Sequence, residues 1–321
     1  MSNKTKARPK MKVWQKIVAV IVIIAELIAI GALYVYSQLG LINRVDNSYL
    51  TDSSYRGDIS GENDGGQVKS DSSVTNILLI GQDKREPQNS RQRSDTMIIA
   101  SINKTTSAVT LCSLMRDMYV PIPGYGSNKL NAAYAYGGMQ LLDQTIQDNF
   151  GIRIDGNVEV DFEGFVNSLS VIGNLDLDLD AEEAAYLNKN GWNLTDGTNS
   201  MTPEQVLAFA RIRHVGNADW ERTERQRQVL IAGYDRMRRA GISETMSAAT
   251  KMFPYLTTDM SNTDMLKIVY TVVSKDMSLD SDHRLPLEGT YDITTKDGMS
   301  ILDPNIKANA AALQELLYGK E

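Results

Sequence analysis

The chain has 321 residues with 33 basic and 40 acidic side chains, a formal charge of -7 that excludes the global basic excess of a nucleic-acid coat. Cys112 is the single cysteine and cannot form an intramolecular disulfide, while His214 and His283 lie outside any HExxH or CxxC spacing and leave little room for zinc. No phosphate-binding P-loop occurs, and neither histidine accompanies the GxSxG elbow that a Ser/His/Asp triad would use. The first sixteen residues carry six basic side chains and no acidic one. Residues 17–36, "IVAVIVIIAELIAIGALYVY", follow as an apolar run broken only by Glu26. At about 1.5 Å per residue such a helix covers the roughly 30 Å hydrocarbon core, and it exceeds the length of a signal-peptide apolar region. The segment reads as an uncleaved transmembrane anchor, with the tail 1–16 in the cytoplasm and everything after Tyr36 outside. Residues 37–73, rich in Ser, Gly and Asp, read as a flexible stalk, and residues 74–321 as the folded domain.

The folded part opens with "NILLIGQDKR", a short apolar run ended by glycine and an acidic residue, the pattern of a buried strand reaching a sheet edge. "TMIIASI" and "AVTLCSLM", separated by "NKTTS", predict a hairpin. Folding it about Lys104 and Thr105 sets Asp95 opposite Leu114 or Met115, with Arg116 as its neighbour. Asp83 joins them if its strand runs parallel to the one ending at Met115, since ligands gather at carboxyl ends of strands. Two carboxylates so close need a cation between them or a shared proton, and hard oxygen ligands in a phosphate site suit Mg²⁺. Taken singly, each of these residues reads as a turn or solvated surface residue; their convergence is what points to a site.

Downstream, "KLNAAYAYGG" places Lys129 and Asn131 before a helix, with Asn131 a candidate N-cap and Gly137-Gly138 a break. "VEVDFEGFVNSLSVIG" predicts a strand and then a helix capped near Asp161. "LDLDLD" alternates as a half-buried strand with a solvated acidic face. "MTPEQVLAFARIR" holds the Thr202-x-x-Gln205 capping pattern with Pro203 at the first helical position, so a helix ends near Arg211 and Arg213. After "HVGNA", Asp219 is the expected N-cap of a second helix from Trp220 to about Arg239. Arg222, Arg225 and Gln226 can then face one ligand. Arginines in the first two turns oppose the helix dipole unless an anion is bound there, which makes the cluster a candidate anion clamp.

These stretches, in order from about Val74 to Leu230, resemble the LytR-CpsA-Psr (LCP) family. The resemblance implies an α/β fold: an α/β/α sandwich with a central mixed sheet, borne on a single N-terminal transmembrane helix. It also implies transfer of an anionic glycopolymer, of teichoic acid or capsule type, from an undecaprenyl-pyrophosphate carrier to peptidoglycan in a bacterial, Gram-positive envelope. On this basis Asp83 and Asp95 match Mg²⁺-associated carboxylates. Arg93, Arg116, Arg211, Arg213, Arg222 and Gln226 match head-group contacts, and Asp219 is the motif aspartate. Asp95, Arg116, Asp219 and Arg222 are the expected catalytic set; Lys129, Asn131 and Arg225 complete the expected substrate contacts. Met115 stands where the family often has proline, and Arg227 where a second glutamine is usual. Asp219 and Asp95 both remain candidates for general base. Hydrolysis of the lipid pyrophosphate and a non-enzymatic envelope regulator are the alternative functions, whereas a cytoplasmic tail of sixteen residues is too short for a DNA-binding domain.

Overall fold

Period-two burial explains the centre of the molecule: in "VTNILLIGQ" and "SDTMIIASIN" successive side chains point to opposite faces, and both faces are covered. The computed structural model describes residues 36–37, 40–45, 68–82, 94–213, 215, 219–275 and 277–319. The expected anchor before Tyr36, together with Asp83 and Arg93, lies outside the described residues. Among the described residues no helix is long and apolar enough to cross a membrane. The chain divides into Met1–Leu41 and Ile42–Glu321, and the second unit holds the fold described below.

Its strands in chain order are β1 Asn43–Arg44, β2 Val74–Gln82, β3 Ser94–Asn103, β4 Ala108–Leu114, β5 Tyr119–Ile122, β6 Gly126–Lys129, β7 Gly156–Asp161, β8 Leu175–Leu179, β9 Gly197–Met201, β10 Thr257–Thr258, β11 Ser278–Leu285, β12 Tyr291–Lys296 and β13 Met299–Pro304. The helices are α1 Leu130–Phe150, α2 Phe162–Ile172, α3 Ala181–Asn188, α4 Pro203–Ala210, α5 Asp219–Ala240, α6 Ile242–Met252, α7 Asn262–Ser274 and α8 Ile306–Tyr318. The central sheet runs β1-β10-β7-β2-β3-β4-β11. It is mixed: β2, β3 and β4 pair antiparallel, while β7 runs parallel to β2 and β11 parallel to β4.

Leu78, Ile80, Met97, Ile99, Cys112 and Leu114 bury one sheet face against Leu142, Ile146 and Phe150 of α1 and Leu313 and Leu317 of α8. Each such side chain contributes about 1.5–3 kcal/mol by leaving water. Helices α2 and α5 cover the other face, making contacts with β7, β4 and β11. The result is the expected sandwich. A second apolar cluster lies outside the sheet, where Leu175, Leu177 and Leu179 meet Val206, Phe209, Ile212 and Val229. Burial alternates strictly along "LDLDL", as its period predicted.

Local signals hold at several ends. Asp161 caps α2 by accepting from the Gly164 N–H at 2.8 Å. The Gln205 side chain accepts from the Thr202 N–H at 2.8 Å at the start of α4, with Pro203 in its first turn. Gly138 breaks α1 with φ 69° and ψ -152°, a conformation glycine alone adopts readily. Asn131 does not cap α1; Lys129 occupies the cap position and Asn131 is buried in the first turn. The hairpin register also differs from expectation. Asn103 Oδ1 accepts from both the Thr105 and Thr106 N–H groups, and Ser107 takes φ 53°. This turn sets Asn103 opposite Ala108 and Ile98 opposite Ser113, two residues along from a fold about Lys104 and Thr105, and Asp95 meets Arg116 through its side chain.

The span 37–73 is not stalk throughout. Strand β1 pairs parallel with β10, Ile42 is buried, and the Arg44 guanidinium donates to the Met260 carbonyl and to Asn262 Oδ1. Lys69 bridges to Ile152 at a second point. Removing residues 1–73 therefore strips an edge strand that removing 1–41 leaves in place. A chain starting at Val74 is expected to unfold at lower denaturant than one starting at Ile42, with both cooperative; coincident urea transitions would show that β1 contributes nothing.

Candidate active site

The carboxyl end of the sheet is where β3 begins, β4 ends and α5 begins. Arg116, just past β4, is the hub. Its Nη1 donates to Asp95 Oδ1 at 2.6 Å, its Nη2 to Asp219 Oδ2 at 3.3 Å, and its Nε to Asp117 Oδ2 at 3.4 Å. Burial alone would lower its pKa, but Asp219, Asp117 and Asp95 together raise it. Lys129 Nζ reaches Asp117 Oδ1 at 2.6 Å and so belongs to the same network. Asn131 stands behind the rim, its N–H donating to the Arg116 carbonyl at 3.3 Å.

Arg213, after α4, donates to Asp95 Oδ2 at 3.2 Å. Arg211 lies with its guanidinium 4.2 Å from the centre of the Phe162 ring, a cation–π contact. From α5, Arg222 pairs with Asp219 at 2.7 Å and donates to the Asp95 carbonyl at 3.3 Å. Helix α5 begins at Asp219 itself, so this aspartate is its first residue and spends its carboxylate on Arg116 and Arg222.

Arg222 is the electrostatic anomaly. Its side chain is 3% exposed and its Nε has no hydrogen-bond partner among the described residues. Burial, then the neighbouring Arg116 and Arg213 cations, push its pKa down to about 10 against the opposing pull of Asp219 and Asp95. Among the described residues around it, the cations Lys129, Arg116, Arg211, Arg213 and Arg222 face the carboxylates Asp95, Asp117 and Asp219, an excess of two positive charges. An enclosed cation excess of this kind favours a polyanion.

A cavity of about 330 Å³ adjoins it, lined by Asp95, Thr96, Phe162, Tyr186, Asn190, Ala208, Ala210, Arg211, Arg213, Arg222 and Gln226. Arg211, Arg213, Arg222 and Gln226 thus converge as expected. Thr96, Phe162, Tyr186 and Asn190 were not foreseen; only the position of Phe162, beside the Asp161 cap at a strand end, carried a local signal.

Two arginines of α5 do not join them. Arg225 is 2% exposed and is absorbed by Glu183 at 2.5 Å, Glu221 at 2.8 Å and the Ile212 carbonyl at 3.4 Å. It ties α5 to α3 and makes no contact with the cavity, contrary to the sequence expectation of a ligand contact. Arg227 is 4% exposed and donates to Ser113 Oγ at 2.8 Å beneath the sheet. It is a buried cation, its pKa lowered chiefly by burial, rather than exposed helix charge.

Among the described residues no cluster of three or more His, Cys, Asp or Glu side chains could hold a metal ion. The donor chemistry of Asp95 nevertheless suits Mg²⁺, which protein sites hold through one or two carboxylates while phosphate oxygens and water complete its shell.

A profile of the LytR_cpsA_psr family matches residues 45–316. The chain is 32% identical to the polyisoprenyl-teichoic acid–peptidoglycan teichoic acid transferase TagU of Oceanobacillus iheyensis, over 71% of this chain and 70% of that protein. It is 28% identical to regulatory protein MsrR of Staphylococcus aureus strain COL, over 78% of this chain and 76% of that one. Among solved structures, "TagT bound to LIIa-WTA" superposes with a TM-score of 0.64 at 25% identity, covering 81% of this chain and 98% of that one.

Proposed function

Since the chain belongs to the LytR_cpsA_psr family, with a matched span that takes in every element of this site, we propose that it is a glycopolymer–peptidoglycan phosphotransferase. The donor is a polyprenyl pyrophosphate, of undecaprenyl type, carrying an anionic glycan of teichoic acid or capsule type. The acceptor is a peptidoglycan hydroxyl. The buried, cation-crowded Arg222 guanidinium carries the reading, because a pyrophosphate diester brings the negative charge this site lacks. The name of the TagU relative supports the same donor and acceptor classes.

In the reaction the acceptor oxygen attacks the phosphorus bearing the glycan. A new P–O bond forms, the P–O bond to the lipid-side phosphate breaks, and polyprenyl monophosphate departs with the electron pair. Arg116, Arg213 and Arg222 hold the non-bridging oxygens as charge redistributes over them, which is the main demand of phosphoryl transfer. Asp219 or Asp95 takes the hydroxyl proton once its arginines turn to the phosphates. Asp95 with Asp83 would hold Mg²⁺, which when bound supplies further positive charge to the phosphate oxygens. Residues 17–36 anchor the chain as a single span with the catalytic part outside the cell. Protease added to intact protoplasts is expected to digest that part; protection would reverse the topology.

Incubating the full-length protein in detergent with a labelled lipid-linked glycan and peptidoglycan tests the reaction. Label is expected in the insoluble wall fraction, with at least tenfold less after chelation and recovery on adding Mg²⁺. Label released as free glycan phosphate, independent of acceptor, identifies a hydrolase instead.

A further inference from the structure

Tyr125 and Tyr136 stand apart from the core and from the arginine network. Their rings stack with centroids 4.7 Å apart and planes inclined by 17°, yet they are 57% and 40% exposed. Tyr125 sits at the tip of the β5–β6 hairpin between Gly124 and Gly126, both at positive φ, a turn that thrusts the ring outward. Tyr136 projects from the first turns of α1, and its hydroxyl accepts from Asn128 Nδ2 at 2.9 Å. The hairpin does not need this pair for anchorage. Val120 and Ile122 are already fully buried beneath it, and the Leu130 N–H donates to the Met118 carbonyl at 2.8 Å.

The other end of the same hairpin is the site. Lys129, the last residue of β6, pairs with Asp117, which pairs with Arg116. From Lys129 back to Tyr125 the strand covers about 13 Å at roughly 3.3 Å per residue. An exposed aromatic face therefore lies a few sugar rings from the cations that hold the pyrophosphate.

We propose that Tyr125 and Tyr136 form the platform on which the acceptor glycan lies, a subsite for N-acetylhexosamine rings of the peptidoglycan strand; this rests on the transferase reading above. The apolar C–H face of a pyranose matches the negative face of an aromatic ring, and the adjacent Asn128 amide supplies a polar group to fix its orientation. Two rings flanked by Gly124, Gly126 and Ser127 are too small a patch for a protein partner, whose interface needs roughly 1,000 Å². They are the right size for a sugar.

The test uses full-length protein and a tetramer of β-1,4-linked N-acetylglucosamine as probe, titrated calorimetrically. Tyr125→Ala is expected to weaken tetramer binding at least tenfold and Tyr125→Trp to retain it, while affinity for polyprenyl pyrophosphate stays the same in both. In the transfer assay Tyr125→Ala is expected to raise the acceptor KM. Equal tetramer binding by wild type and Tyr125→Ala, no binding by either, or a change in self-association without a change in binding overturns the platform. Loss of tetramer binding in Tyr125→Ala in a protein that shows no transfer upholds the platform and sinks the transferase reading instead.

Discussion

Replacing Arg222 by lysine is expected to lower affinity for polyprenyl pyrophosphate, and the rate of transfer, roughly tenfold to a hundredfold, because hydrogen bonds to charged groups contribute about 1.5–3 kcal/mol. Lysine keeps the charge but loses the planar fork that serves two oxygens at once. The melting temperature should barely move. At neutral pH both folded and unfolded Arg222 are protonated, so its burial among cations costs the unliganded fold roughly 3 kcal/mol in full. Only above a pH of about 10 does the unfolded state bind more protons, and there the stability of the unliganded fold rises with pH. Between pH 6 and 9 Arg222 contributes no pH dependence to stability. A bound pyrophosphate offsets the burial cost, so it should raise the melting temperature of wild type more than that of the variant. Arg238, exposed at the far end of α5, is the control, and its change to lysine should alter nothing. Equal ligand affinity for wild type and Arg222→Lys would remove Arg222 from the clamp.

Glu183→Ala is expected to do the reverse, with a large loss of stability and little change in ligand affinity. It leaves the buried Arg225 guanidinium with the half-exposed Glu221 and a long bond to the Ile212 carbonyl, and breaking a buried pair in this way costs about 3 kcal/mol or more. For a domain of this size the melting temperature should fall by roughly 6 to 12 °C. Pyrophosphate affinity of the folded fraction should stay within about threefold, since Arg225 does not line the cavity. A drop in affinity matching that of Arg222→Lys, with unchanged melting, would return Arg225 to the ligand site. The pair of variants separates two arginines three residues apart on one helix.

That separation shows where sequence reading stops. Local chemistry was legible: the Asp161 cap, the period-two burial of "LDLDL", and the hairpin that carries Asp95 toward Arg116 all depend on neighbours in the chain. The hairpin was misplaced only because the Asn103 side chain and Ser107 set the turn, a choice that spacing does not reveal. Helical periodicity put Arg222, Arg225 and Gln226 near one another but not Glu183, which arrives from α3 and claims Arg225. Similarly, nothing local marks Arg227 as buried against Ser113. Which face of a helix meets solvent, cavity or core is decided by tertiary partners, and those are remote in sequence. The edge strand β1 escaped for a different reason, being a two-residue pairing inside a polar stretch whose composition predicts no structure.

The carboxylates at the hub also bear on turnover. Asp95 and Asp219 pair with the guanidiniums to which we assign the pyrophosphate, so in the proposed reaction they compete with the substrate for the same donors. A pyrophosphate with two adjacent phosphates can outbid them. Each product keeps only one of those phosphates, and the carboxylates then reclaim their arginines. In the transfer proposed above, that return would oppose product retention, so replacing Asp219 by asparagine is expected to slow release of labelled polyprenyl phosphate in a single-turnover assay even where it tightens binding.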